Sequence, residues 1–110
     1  MGLLPRSARR SGRRGTLRTA DAADRDHLRE FIRTRAGVEA YLEPQTTVTA
    51  TTVVLVAADG EWTRRRIGSP DDARGFAAKH AIPLYEAGRV GYPQRMRDWT
   101  ARRKAAGESL

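Results

Sequence analysis

The residues best suited to chemistry in this chain are its arginines, and the densest run follows a tryptophan: Trp62-Thr63-Arg64-Arg65-Arg66. On a strand, alternation puts Trp62, Arg64 and Arg66 on one face. An indole flanked by guanidinium groups can stack a base and pair with the phosphates beside it. The same residues also suit a structural role, the arginine stems covering a core tryptophan or blunting a sheet edge. A second group comprises Arg89, Arg95 and Arg102, with Arg97, Arg103 and Lys104 interspersed. Arg89 stands inside Gly88-Arg89-Val90-Gly91, the spacing with which KH domains clamp a nucleic-acid backbone. KH loops join two helices, whereas a strand is expected before this one. A strand-to-helix turn with positive φ is the simpler account. Trp62, Arg64, Arg66, Arg89, Arg95 and Arg102 are therefore the candidate nucleic-acid-binding residues.

Other chemistries find little support. The two histidines, His27 and His80, begin no metal-ligand spacing. There is no Gly-x-Ser-x-Gly elbow, no Gly-x-Gly-x-x-Gly and no Walker loop. Asp71 and Asp72 follow Ser69-Pro70, where helix-start electrostatics explains them. With no cysteine, thiolate catalysis, disulfides and Cys-ligated zinc are excluded. No catalytic residue, cofactor or metal is expected, although a cleft uniting His80, Tyr85 and Tyr92 would revive an enzyme. The missing disulfides favour a cytoplasmic location, and no apolar run is long enough for a membrane span.

The net charge of +8 divides unevenly. Residues 1–20 carry six arginines and no acid, and residues 21–63 carry four basic groups against eight acidic. Residues 64–88 carry five against three, and residues 89–110 six against two. A polyanion-binding reading rests on the N-terminal tail and the C-terminal segment. Of the 21 basic residues, all but Lys79 and Lys104 are arginine, whose planar fork suits phosphate. A GC-rich coding sequence would produce the same bias, and a wrongly assigned start would produce the same tail. The tail has no apolar h-region, which argues against a secretory signal.

These groups need elements to position them. Residues 1–18 lack periodicity and are expected to be a disordered tail, and residues 107–110 a disordered end. Between them, residues 19–106 form one domain. A helix starts at Thr19 or Asp21 and runs to about Arg35, burying Leu28, Phe31 and Ile32 before Gly37. Val38–Glu43 alternates as a strand with one wet face. Thr46–Ala58 is dense in β-branched residues, and Val53-Val54-Leu55-Val56 is apolar on both faces. Asp59-Gly60 signals a hairpin leading to a strand over Glu61–Ile67. Ser69 as N-cap, Pro70 at the first position and Asp72 in a capping box start a helix to about His80. Ile82–Tyr85 is a short fourth strand, and Tyr92-Pro93 opens a last helix to about Ala105. On that helix Met96, Trp99 and Arg103 share a stripe, Arg95 and Arg102 a neighbouring face, and Arg97 and Lys104 another. The expected fold is α+β in the order α-β-β-β-α-β-α, with a mixed, mostly antiparallel four-stranded sheet and helices on one face.

Five segments carry a resemblance: Arg35-Ala-Gly-Val-Glu-Ala40, Glu43-Pro-Gln-Thr-Thr-Val-Thr49, Asp59-Gly-Glu-Trp-Thr-Arg-Arg-Arg66, Lys79-His-Ala-Ile-Pro-Leu-Tyr85 and Gly91-Tyr-Pro-Gln-Arg-Met-Arg-Asp98. From Phe31 to Arg103 the chain resembles a family of small, uncharacterised proteins of high-GC Gram-positive bacteria. The arginine-rich tail lies outside that segment. The leading expectation is a small basic binding protein that contacts nucleic acid or a ribonucleoprotein through its arginines. The alternative is a protein-interaction module, and a small enzyme comes third.

Overall fold

Four consecutive apolar residues, Val53 to Val56, give a strand no polar face, so it must lie between two covers. The computed structural model describes residues 12–44 and 50–107. In it β2 (Thr52–Val56) is an inner strand, with Val53, Val54, Leu55 and Val56 all buried. β1 (Glu39–Leu42) pairs with it antiparallel, Glu39 opposite Val56 and Leu42 opposite Val53. β3 (Trp62–Arg66) pairs antiparallel on its other side, Val56 opposite Trp62 and Thr52 opposite Arg66. β4 (Leu84–Glu86) adds to β1 in parallel, giving the order β3-β2-β1-β4. The fold is α+β with a mixed four-stranded sheet, as the sequence pattern predicts.

Both faces of that sheet are covered. On the first, Ala40, Val53 and Leu55 pack with Leu28 and Phe31 of α1 (Gly12–Thr34) and with Ala73 and Phe76 of α2 (Pro70–Lys79). On the second, Tyr41, Val54 and Val56 meet Ala87 of the single-turn α3 (Ala87–Val90) and Met96 of α4 (Gln94–Ala105). Trp62 and Tyr92 pack against this second cluster. Helices on one face therefore describes α1 and α2 only, and α4 lies across the sheet from them. The physical reason is β2 itself, whose Val54 and Val56 would otherwise stand in water, at roughly 1.5–3 kcal/mol per exposed side chain.

Boundaries shift in informative ways. Helix α1 begins at Gly12, ahead of the expected cap at Thr19 or Asp21, and so takes up residues 12–18 of the anticipated tail. Arg13, Arg14, Leu17, Arg18 and Ala20 are good helix formers, and no proline interrupts them. Residues 1–11 of the expected tail, residues 46–49 of the expected strand and residues 108–110 lie outside the described residues. Ser69 does cap α2, its Oγ accepting from Asp72 N at 3.1 Å. The Asp72 carboxylate faces Arg25 at 3.6 Å, so the box is half formed.

The β2–β3 hairpin turns at Gly60, whose N–H donates to the Ala57 carbonyl at 3.0 Å. Its φ is +97°, and an added Cβ would come within 2.0 Å of the Arg95 carbonyl oxygen on α4. Gly60 thus serves the turn and the close approach of α4 together. Gly60→Ala is expected to lose at least the ~1–3 kcal/mol of backbone strain, and more from the clash with α4. Gly75, in mid-α2, has nothing within 4 Å, so Gly75→Ala is expected to gain about 0.5–1 kcal/mol. Urea denaturation of both variants checks the opposite signs.

Candidate nucleic-acid interface

The six candidate residues do not form one open surface. Trp62 is half-buried, and its Nε1 donates to Thr100 Oγ1 of α4 at 3.0 Å. The tryptophan is therefore a docking contact between sheet and helix, and the expected stacking platform on β3 is covered. Arg64 lies 5.6 Å from the Trp62 ring and grips Glu43 with both Nε and Nη2, at 2.8 and 2.9 Å. Arg66 turns to Asp24 of α1 at 3.4 Å. Arg95 donates to the Ala57 carbonyl at 2.9 Å and to Glu39 Oε1 at 2.8 Å, locking α4 to the sheet. Of the six, Arg89 and Arg102 alone are exposed without a carboxylate partner among the described residues, Arg102 donating to the Asp59 carbonyl at 3.0 Å. Gly88 is helical within α3, and Gly91 is its C-cap at φ 72°. The Gly-x-x-Gly segment is thus a turn of helix and its stop rather than an open clamp.

A division of charge emerges. Arg25, Arg29, Arg33, Arg35, Arg64, Arg65, Arg66 and Arg74 each stand in an ion pair with a carboxylate. Downstream, Arg89, Arg97, Arg102 and Lys104 are exposed and have no such partner among the described residues. Arg97 spends its donors on the Gln94 side chain and the Tyr92 carbonyl. Asp98 is the one acid of α4, and it accepts from Gln94 at 3.0 Å. Arg97 and Lys104 were absent from the candidate set, although their spacing already placed them on one helix face.

Beside these cations lie three tyrosines. Tyr41 is buried, with Tyr85 at 5.4 Å and Tyr92 at 5.8 Å between ring centroids. Burial, then the Glu39 carboxylate that accepts its hydroxyl at 2.8 Å, push the Tyr41 phenol up to about 12. Tyr92 donates to Glu43, which also accepts from Thr52 at 2.6 Å. Burial raises the Glu43 carboxyl. The bonds from Arg64, Thr52 and Tyr92 outweigh that and bring it down to about 2. The Arg95 hydrogen bond likewise lowers the Glu39 carboxyl against burial.

The catalytic alternative gains no constellation. His80 stacks on Phe76 at 4.4 Å in a cleft with Arg25, Arg29 and Lys79, apart from the cleft of Tyr85 and Tyr92. Burial lowers its pKa, with Lys79 and Arg29 adding to the effect. His27 pairs with Thr63 Oγ1 at 2.7 Å, and burial and then Arg65 lower its pKa. Among the described residues no group of acids and histidines is placed to hold a metal, and no helix is long and apolar enough to cross a membrane. Comparison with protein-family models, with curated proteins and with solved structures finds no match to this chain.

Glu43 should leave a mark on acid stability. Its folded pKa of about 2 lies below its ordinary 4.5. The stabilisation is therefore full above pH 4.5 and is lost as pH falls toward 2. Glu43→Gln is expected to cost roughly 1–3 kcal/mol at neutral pH, the lower end because Arg64 is 46% exposed and screened by water. Denaturant titrations between pH 2 and pH 6 should give a flatter stability profile for the variant. An unchanged slope would remove the Glu43 cluster from the account.

Proposed function

We propose that the protein binds nucleic acid, with its folded contact surface on the segment from Arg89 to Lys104 rather than on β3. One observation carries this reading: among the described residues, Arg89, Arg97, Arg102 and Lys104 are exposed without carboxylate partners on that segment, while every arginine from Arg25 to Arg74 is paired and Lys79 is the exposed unpaired cation between them. A paired arginine must break its ion pair before it can serve a phosphate. An unpaired one only displaces water and the phosphate's own counterions. Arg102 and Lys104 also complement the negative end of α4, a few tenths of a kcal/mol each, which leaves their charge available outward. The six arginines of residues 1–20 add a sequence-independent attraction to the same polyanion.

A second reading, a protein-interaction module, draws on one feature. Tyr85 and Val90 are the exposed large hydrophobic residues of the described chain, and both line one cleft. Exposed apolar surface gathered in one place commonly marks a partner site. A complex recovered after nuclease treatment would favour it.

The test is salt-dependent binding of the full chain to 20-nucleotide DNA and RNA probes, followed by fluorescence anisotropy at 50 and 200 mM salt. Wild type is expected to lose affinity steeply with salt. The triple variant Arg97→Gln, Arg102→Gln, Lys104→Gln should flatten the log–log slope by about 2–3, one phosphate contact for each lost cation. If neither nucleic acid binds at 50 mM, the proposal falls. Unaltered slope in the variant would remove α4 from it.

A further inference from the structure

We infer that the nucleic acid taken by this surface is single-stranded, with unstacked bases lodged in two clefts that share Tyr92, one lined by tyrosines and the other largely apolar. The inference rests on the nucleic-acid reading and adds the strandedness of the ligand. The first cleft, of about 330 Å³, is bounded by Tyr41, Tyr85, Val90, Tyr92 and Pro93, with the Arg95-paired Glu39 on its polar side. The second, of about 420 Å³, is bounded by Tyr92, Met96, Thr100 and Ala101, with Arg97 and Lys104 among its lining cations. Tyr92 belongs to both, so the clefts adjoin.

Three features favour a single strand. First, apolar surface and cations without carboxylate partners alternate at short range. Val90 is 60% exposed and Tyr85 39% exposed on one side, while Arg97 and Lys104 line the other. Proteins that hold single strands combine aromatic or apolar seats for bases with cations for the intervening phosphates. A duplex keeps its bases stacked inside, so it would set phosphates over these clefts and leave their apolar lining without a partner. Second, the acids beneath the tyrosines are already neutralised. Glu39 is held by Arg95 and Glu43 by Arg64, so neither presents a free negative charge to an approaching phosphate. This gives Arg64 and Arg95 a role in the site without contact to the ligand. Third, the outer rings are pre-set. Tyr85 and Tyr92 both pack on Tyr41, and the Tyr92 hydroxyl is tied to Glu43, so little side-chain freedom remains to be lost on stacking.

Two uncharged substitutions separate base seating from phosphate attraction. Tyr85→Ser removes an exposed ring from the first cleft. Ala101→Gln fills part of the second from an exposed helical position that glutamine suits. Binding of the full chain to a 20-nucleotide single strand, as DNA and as RNA, is compared with the matching duplexes at fixed salt. The wild type is expected to prefer the single strands. Each variant should weaken single-strand binding about fivefold or more while leaving duplex binding unchanged. Circular dichroism checks that both variants fold. Equal affinity for single strands and duplexes, or equal losses on both, overturns the inference while leaving polyanion binding in place. Absence of all binding at low salt overturns both.

Discussion

A strand that is apolar on both faces leaves a sheet without a wet side, and most of this molecule follows from that constraint. Val53 and Leu55 need a cover on one face, Val54 and Val56 on the other. With 110 residues to supply both, the chain uses α1 and α2 for the first and α4 for the second. Helix α4 can approach closely because Gly60 has no side chain to keep it away. Trp62 and Arg95 then hold it, one by an indole N–H to Thr100, the other by a guanidinium bridging Ala57 and Glu39.

The same constraint sorts the charges. Once α4 covers the second face, Arg95 is too enclosed to remain unpaired, because a half-buried cation without a partner loses hydration it cannot replace. It meets Glu39, while the more exposed Arg64 meets the enclosed Glu43, and the two glutamates stay ionised through hydrogen bonds that overcome their burial. Cations on the outward side of α4 face water and have no such need. The basic surface of the domain is thus what is left over after the interior has satisfied itself. It lies on a different element from the Trp62–Arg66 run that looks most basic in one dimension.

Local pattern alone determined a good deal about this protein. The β-branched density of Thr52–Val56, the Asp59-Gly60 turn, the Ser69-Pro70 helix start and the Leu28/Phe31 stripe are all short-range signals, and each marks an element that formed, although α1 starts well before its expected cap. Turn chemistry, capping and two-residue alternation act between near neighbours, so they are visible in the chain. The face shared by Trp62 and Arg64 was equally legible, since alternation sets it, whereas the long Arg66 side chain reaches Asp24 of α1. What alternation cannot say is what lies over that face. Only the tertiary structure decided that α4 crosses to Trp62, that Glu43 claims Arg64, and that Tyr41 shares one cluster with the distant Tyr85 and Tyr92. Those contacts depend on which helix packs on which side of the sheet. That choice is made by total buried area over the whole chain, a quantity no local window contains.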